Sequence, residues 1–202
     1  MPSAFAESLV QLSVFVESMG VMGYVAVVGL NVVCIILSLP VLMPIQAVAG
    51  VLFGAVAATA VGCVGRTIGL SINFFVARTL GRTRGWSVPL PEKYTAKIYE
   101  RQFWAILTVM LVAPIPSSLR AFALGLMDGI VPIKFIVAVV FASIPQACIG
   151  SIMGAQAGNL QEALAKVPEP GVKSMIGLVL GCATLGGLVF WKSRKDKAAK
   201  AE

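Results

Sequence analysis

The chain has 202 residues, of which 58% are hydrophobic and only 12% are charged. This composition excludes an ordinary water-soluble domain and predicts an all-α integral membrane protein. The net charge of +7 comes from two basic blocks that flank apolar segments, residues 82–101 and 192–200. We therefore expect membrane lipids as partners, through contact with anionic lipid heads, and no nucleic acid.

The side chains that usually carry catalysis or bind metals are scarce. The chain has no histidine, and its four cysteines stand singly in apolar segments. No nucleophile, base and orienting group can be assembled, so we expect no enzyme activity, no catalytic residue, no metal site and no cofactor. The first residues also lack the basic segment of a cleaved signal peptide, which favours a mature N-terminus.

The N-terminal 19 residues are predicted to form an amphipathic helix lying in the membrane interface. Phe5, Leu9, Leu12 and Phe15 recur at three- and four-residue steps, which places them on one helical face. The alternative is that this segment simply starts the first span. A single membrane domain is predicted over residues 20–191, and its first transmembrane helix is Gly20–Leu39.

A broken helix is predicted next. Pro44 removes a backbone donor, and Gly50 and Gly54 flank Val51, Leu52 and Phe53. Freed backbone groups at membrane depth are tolerated only where protein or water satisfies them. The pattern therefore predicts a re-entrant helical hairpin over Met43–Val61 with its turn at Gly50–Gly54. A kinked full span is the alternative.

Small residues recur at every fourth position along this stretch. This spacing predicts that they share one helical face and form a groove in which other backbones pack closely. The residues are Gly50, Gly54, Ala58 and Gly62, followed by Gly65 and Gly69. A full helix is predicted from Gly62 to Leu80, leaving the membrane at Gly81.

A second re-entrant hairpin is predicted over Phe103–Met127, because Pro114 and Pro116 divide it into arms too short to cross a bilayer. A span over Pro132–Gly154 follows, with Gly150, Gly154 and Gly158 as a second ladder. Copies could pair into a homo-oligomer through this ladder or through Gly177–Gly181. The remaining predicted segments are a polar loop at 159–173, a last span at 174–191 and a basic cytoplasmic tail at 192–202.

The basic residues predict a topology with both termini in the cytoplasm. The segments that are outside in this topology contain only Lys166 and Lys173, whereas the inner loop and the tail contain five basic residues each. The two hairpins then enter the membrane from opposite faces.

Three arginines fall in or at the bilayer and are candidates for contact with an anionic lipid head. On a helix Arg66 shares a face with Gly62 and Asn73, an arrangement that could hold a phosphate; the alternative is donation to hairpin carbonyls. Arg78 follows Phe74 by one turn, so cation–π contact or reach toward the interface would also explain it. Arg120 follows the proline turn. Between Ser18 and Met127 the only carboxylates are Glu92 and Glu100, which favours an anionic guest over internal ion pairs.

Several of these motifs together resemble the DedA superfamily, also called VTT-domain or SNARE-associated membrane proteins, in the branch without the acidic signature. They are AGxxFG (Ala49, Gly50, Phe53, Gly54), G-x3-G-x4-F-x3-R-x2-G (Gly65, Gly69, Phe74, Arg78, Gly81) and PSSLRAFALG, ending at Gly125. The resemblance covers about residues 40–158. It implies two inverted re-entrant hairpins packed between transmembrane helices, and movement of phospholipids or lipid phosphates between leaflets.

The chain departs from the family at two positions. The usual R-x-x-P-x-x-P of the second hairpin would place its arginine at Met110, and Gln46 stands where many bacterial members have a glutamate. The resemblance therefore favours a lipid scramblase or translocase over a proton-coupled small-ion transporter. A non-transporting trafficking or scaffold protein that recruits partners through its basic tail is the other alternative. A bacterial inner membrane and a eukaryotic endomembrane both fit the sequence.

Overall fold

The computed structural model describes residues 16, 20–39, 41–86, 98–112 and 115–157. These residues are helical or lie in turns and short connections, and no strand occurs among them. The predicted interfacial helix (apart from Val16), Pro114, Gly158, the polar loop, the last span and the basic tail lie outside the described residues.

The helices of the described residues are numbered in chain order. They are α1 (Val21–Ile36), α2 (Leu42–Arg84), α3 (Gln102–Val112), α4 (Ser117–Gly125) and α5 (Pro132–Ala155).

Helix α1 is shorter than the predicted span Gly20–Leu39, because a left-handed residue ends it. Ser38 has φ 56°, and the Ser38 and Leu39 amides donate to the carbonyl oxygens of Ile35 (3.0 Å) and Cys34 (2.8 Å). This pair of bonds is the Schellman motif that closes helix C-termini. The helix is therefore about 24 Å long.

Helix α2 is interrupted at Gly54, whose φ of 76° and ψ of 165° are not helical. The Gln46 amide Nε2 lies 2.6 Å from the carbonyl oxygen of Ala58, although twelve residues of continuous helix would rise about 18 Å. The chain therefore turns back at Gly54, and we call residues 42–53 the first arm and residues 55–84 the second arm.

The turn contradicts one prediction and agrees with another. Gly54 lies within the predicted turn Gly50–Gly54, but for the same reason Gly50 and Ala58 are on different arms, so a single helical face carrying the whole small-residue ladder is wrong. The predicted boundary between a hairpin ending at Val61 and a helix over Gly62–Leu80 is also wrong, because the second arm is continuous. It extends to Arg84, where Gly85, with φ 65°, follows it.

Helices α3 and α4 are the separate arms predicted on either side of the prolines. Helix α4 begins directly after Pro116, which is its N-cap residue with φ −50° and ψ 137°. Arg120 on α4 donates to the carbonyl oxygen of Val109 on α3 at 2.9 Å, so the chain turns back here too. The predicted span Pro132–Gly154 agrees with α5.

The described residues fall into two compact units. The first consists of those up to Gly69 together with residues 140–157, and the second consists of Leu70–Val139. The core of the first unit includes Val27, Cys34, Ile45, Ala49 and Ala58. In the second unit the buried ring of Phe74 stacks on Phe135 with their centroids 4.1 Å apart.

Two described helices, Leu42–Arg84 and Pro132–Ala155, are long and apolar enough to cross a membrane. Only 39% and 44% of their most apolar stretches is buried, so most of this apolar surface faces outward. Exposing such a surface to water is energetically unfavourable, whereas lipid chains would cover it. Helices α1 and α3 are equally apolar in character but shorter.

Candidate functional site

Arg66 is the only charged side chain that lies buried within the described part of the first unit. It is 9% exposed and lies on the second arm of α2. Its Nη2 donates a hydrogen bond to Oε1 of Gln146 on α5. Gly65 beside it lets α1 pack closely on the second arm, since a Cβ there would come within 2.7 Å of the Asn31 Cβ. One partner of this cation is thus a neutral amide on another helix.

Gln46 on the first arm is the second polar side chain of the site and is 4% exposed. Its Nε2 donates to the carbonyl oxygen of Ala58 at 2.6 Å and to the Ser151 hydroxyl at 2.8 Å. Close glycines make room for it, because a Cβ at Gly62 or Gly150 would fall 2.5 to 3.0 Å from its side-chain atoms. Gln46 therefore braces the two arms against α5.

A cavity of about 280 Å³ opens between these groups. Its polar lining consists of Arg66, Gln46 and Gln146, and the other walls are Leu42, Met43, Ala147 and Ile149. The described residues of the first unit include no aspartate or glutamate. One cation and two amides in an apolar wall suit an anionic oxygen group, which guanidinium and amide N–H groups can bind.

The predicted site residue Arg78 lies in the second unit, where it holds a loop. Its Nη1 donates to the Ile130 carbonyl oxygen at 2.7 Å and its Nη2 to that of Asp128 at 3.3 Å. The expected cation–π contact is present as well, with the guanidinium carbon 5.7 Å from the centre of the Phe74 ring.

The predicted site residue Arg120 also binds backbone oxygens of the second unit. Its Nη1 donates to the carbonyls of Val109 and Met110. Donation to hairpin carbonyls was the alternative considered for Arg66, and it is found for Arg120. Its Nε is buried and has no hydrogen-bond partner among the described residues. Met110, where the family pattern has an arginine, is a buried core residue whose carbonyl accepts from Arg120.

Asn73, predicted to share a face with Arg66, is half-buried in the second unit. Its role at a lipid site stays a prediction. Sequence reasoning noted Gln46 as a departure from the family's glutamate, and it assigned no site role to Gln46, Gln146 or Ser151. Gln146 and Ser151 follow Arg66 and Gln46 by 80 and 105 positions, and such distant pairs carry no signal in a single sequence.

Most of the residues predicted for packing make close contacts, whereas the turn residue Gly54 lies in open space. Phe53 stacks on Tyr24 with centroids 4.3 Å apart, and Pro44 is buried. Substituted Cβ atoms at the remaining glycines would meet neighbouring atoms: Ser151 backbone at Gly50, Ile35 at Gly69, the Trp86 carbonyl at Gly81 and the Phe74 carbonyl at Gly125. Among the described residues no group of three metal-binding side chains lies together.

An all-helical chain whose long apolar helices leave their apolar surface outward belongs to the class of membrane proteins. The family model of the VTT domain matches residues 39–156, which is more than half of the chain. The protein therefore belongs to the VTT-domain family, the membrane proteins of DedA type. No curated protein and no solved structure matches the chain.

Proposed function

We propose that this protein is a lipid scramblase or translocase that moves phosphate-bearing lipid heads between the leaflets of a membrane. The observation that carries the proposal is the cavity of about 280 Å³ in which Arg66 is the one charged wall. A phosphate group carries the charge and the acceptor oxygens that a guanidinium binds best. A membrane protein of DedA type with such a cavity could bind the charged head of a lipid while the apolar tails remain in the membrane.

The broken helices support a re-entrant arrangement. A hydrocarbon core is about 30 Å thick, whereas the first arm is about 18 Å long, α3 about 16 Å and α4 about 14 Å. None of these segments crosses a bilayer alone. We therefore propose that the first arm enters the membrane without crossing it and that residues 103–127 enter and return on the same side. We also propose that the chain is multi-pass with both termini in the cytoplasm.

In the proposed transfer, Arg66 replaces part of the hydration that the lipid phosphate loses in the apolar layer. Gln146 holds the guanidinium in place through its Oε1, so the cation needs little reorganisation when the phosphate arrives. The apolar walls Leu42, Met43 and Ile149 face the tails. Arg78, Arg120 and Asn73 remain proposed contacts for heads in the second unit.

A liposome assay with purified protein tests the proposal. Fluorescent phospholipid in the inner leaflet becomes accessible to an external quencher only if lipids change leaflet. We expect transfer with the wild-type protein. The transfer rate of Arg66→Gln should be lower by at least about tenfold, because hydrogen bonds to charged groups contribute about 1.5–3 kcal/mol.

Arg84→Gln is the matched control, since it removes an exposed arginine that lies over the Trp86 ring, 5.9 Å from its centre. It should transfer lipid at the wild-type rate. Unchanged leaflet distribution with wild-type protein across several head groups would reject the proposal, and equal rates for Arg66→Gln and Arg84→Gln would reject the role of Arg66.

A further inference from the structure

A second cavity, of about 240 Å³, lies in the second unit beside the last turns of α2. Phe75, Arg78, Thr79, Arg82 and Pro132 line it. Arg78 and Arg82 are four residues apart on one helix, so their side chains project from the same face. Two guanidinium groups therefore border a single small space.

The two arginines are held differently. Arg78 is fixed by its bonds to the Ile130 and Asp128 carbonyl oxygens, at 2.7 and 3.3 Å. Arg82 is exposed, and no hydrogen bond joins it to another described residue. One cation is thus pre-positioned, and the other is available to close on a ligand.

No carboxylate lines this cavity. Asp128 offers Arg78 its backbone oxygen, and its side chain is exposed. The exposed Lys134, two residues beyond Pro132, adds positive charge to the same stretch of chain. The balance of charge around the cavity is therefore positive and attracts an anion.

An apolar row leads away from the arginines along α2. Phe75, Val76 and Ile72 are exposed by 45%, 49% and 37%, and they lie on the N-terminal side of Arg82. A phosphate at the arginines and a hydrocarbon chain along this row would be satisfied together. A free phosphate or an acidic peptide would bind the arginines without using the row.

We propose that this cavity binds the phosphate of an anionic phospholipid that stays attached to the protein. It includes Arg78, one of the head contacts proposed above, but none of the residues that line the cavity at Arg66. The bound lipid would fix the end of the second arm at the level of the lipid heads, where cationic side chains commonly lie.

Native mass spectrometry of the detergent-purified protein tests this site, with phosphatidylglycerol, phosphatidylcholine and inorganic phosphate as separate probes. The wild-type protein should retain phosphatidylglycerol in preference to phosphatidylcholine. Arg82→Gln should retain about fivefold less phosphatidylglycerol, the effect expected for one arginine near anionic lipid. Arg84→Gln removes an equal charge two residues away, outside the cavity lining, and should retain as much as wild type.

Three outcomes would overturn the proposal. If Arg82→Gln and Arg84→Gln lose equal amounts of phosphatidylglycerol, the lipid is held by the general positive charge and not by the cavity. If Arg82→Gln loses none, the cavity is not the binding site. Full competition by inorganic phosphate, with Phe75→Ala unchanged in lipid retention, would assign the cavity to a soluble anion. The loss caused by Arg82→Gln should be the same when it is measured in the Arg66→Gln background, which separates this result from the fate of the transfer proposal.

Discussion

The amide of Gln46 lies 2.6 Å from the carbonyl oxygen of Ala58, twelve positions further along the same helix-forming segment. The same Nε2 also lies 2.8 Å from the Ser151 hydroxyl on α5. One side chain therefore joins three segments: the arm before the turn, the arm after it and the long helix α5. These bonds fix the geometry of the cavity beside Arg66.

Gly54 should tolerate no side chain, for reasons of backbone geometry alone. Nothing lies within 4 Å of a Cβ built on it, but its φ of +76° and its ψ of 165° belong to a region that only glycine adopts readily. We expect Gly54→Ala to lower the free energy of unfolding by about 1–3 kcal/mol, measured by thermal or denaturant unfolding in detergent. The control Gly29→Ala, also in open space but helical, should be neutral or slightly stabilising. Equal behaviour of the two variants would contradict a strained turn.

Gln46→Leu should destabilise the protein by about 1–3 kcal/mol, because a buried hydrogen-bonding network loses its central donor. The fully buried Ser151 hydroxyl would be left without this amide partner. A double-mutant cycle with Ser151→Ala isolates that bond, and we expect a coupling of at least about 0.5 kcal/mol. Strict additivity of the two variants would show that the Gln46–Ser151 bond contributes nothing.

Gly65→Ala should push α1 away from the second arm of α2. A Cβ at Gly65 would come within 2.7 Å of the Asn31 Cβ and 3.1 Å of the Val28 carbonyl oxygen, and neither atom is the end of a flexible side chain. We expect a cost of about 1–3 kcal/mol for this overpacking, read as a lower unfolding midpoint. Gly29→Ala makes the same change on α1 where space is open, so a matching loss there would point to a general intolerance of alanine instead.

Gln102 should control the stability of the connection between α4 and α5. Its Nε2 donates to the Gly129 carbonyl at 2.9 Å, and its Oε1 accepts from the Val131 amide at 3.1 Å. In Gln102→Leu we expect about fivefold faster hydrogen exchange at the Val131 amide, the effect of losing one bond of about 1 kcal/mol. Thr108→Val changes an exposed residue on the same helix and should leave that exchange rate unchanged. An unaltered rate in Gln102→Leu would show that Gln102 does not protect this amide.

The turn at Gly54 and the break before Pro116 were predictable, because glycine and proline act on the backbone locally. The same local reasoning placed Gly54 in a continuous ladder with Gly50, Ala58 and Gly62, and this was wrong. Every-fourth spacing describes a helical face only while the helix continues. The sequence pattern was compatible with a turn at Gly54 and with a continuous helical face, and the non-helical backbone of Gly54 shows that the turn is present.

The partners of the arginines were not predictable from the sequence. Arg78 follows Phe74 by one turn, so the cation–π contact could be expected, but the Ile130 carbonyl is 52 positions away. Likewise nothing local indicates that Arg66 meets Gln146. Such pairs depend on which helices pack together, and composition shows only that each helix has an apolar surface to cover.

The glycine contacts of the first arm have a mechanical consequence. A methyl group at Gly50 would collide with the Ser151 backbone, and one at Gly154 with the Ala47 backbone, so the first arm and α5 touch main chain to main chain. Two surfaces that interlock so closely slide past one another poorly, and they behave as a single rigid block. Any widening of the space beside Arg66 would then require movement of the second arm, which the Gln46–Ala58 and Arg66–Gln146 hydrogen bonds oppose.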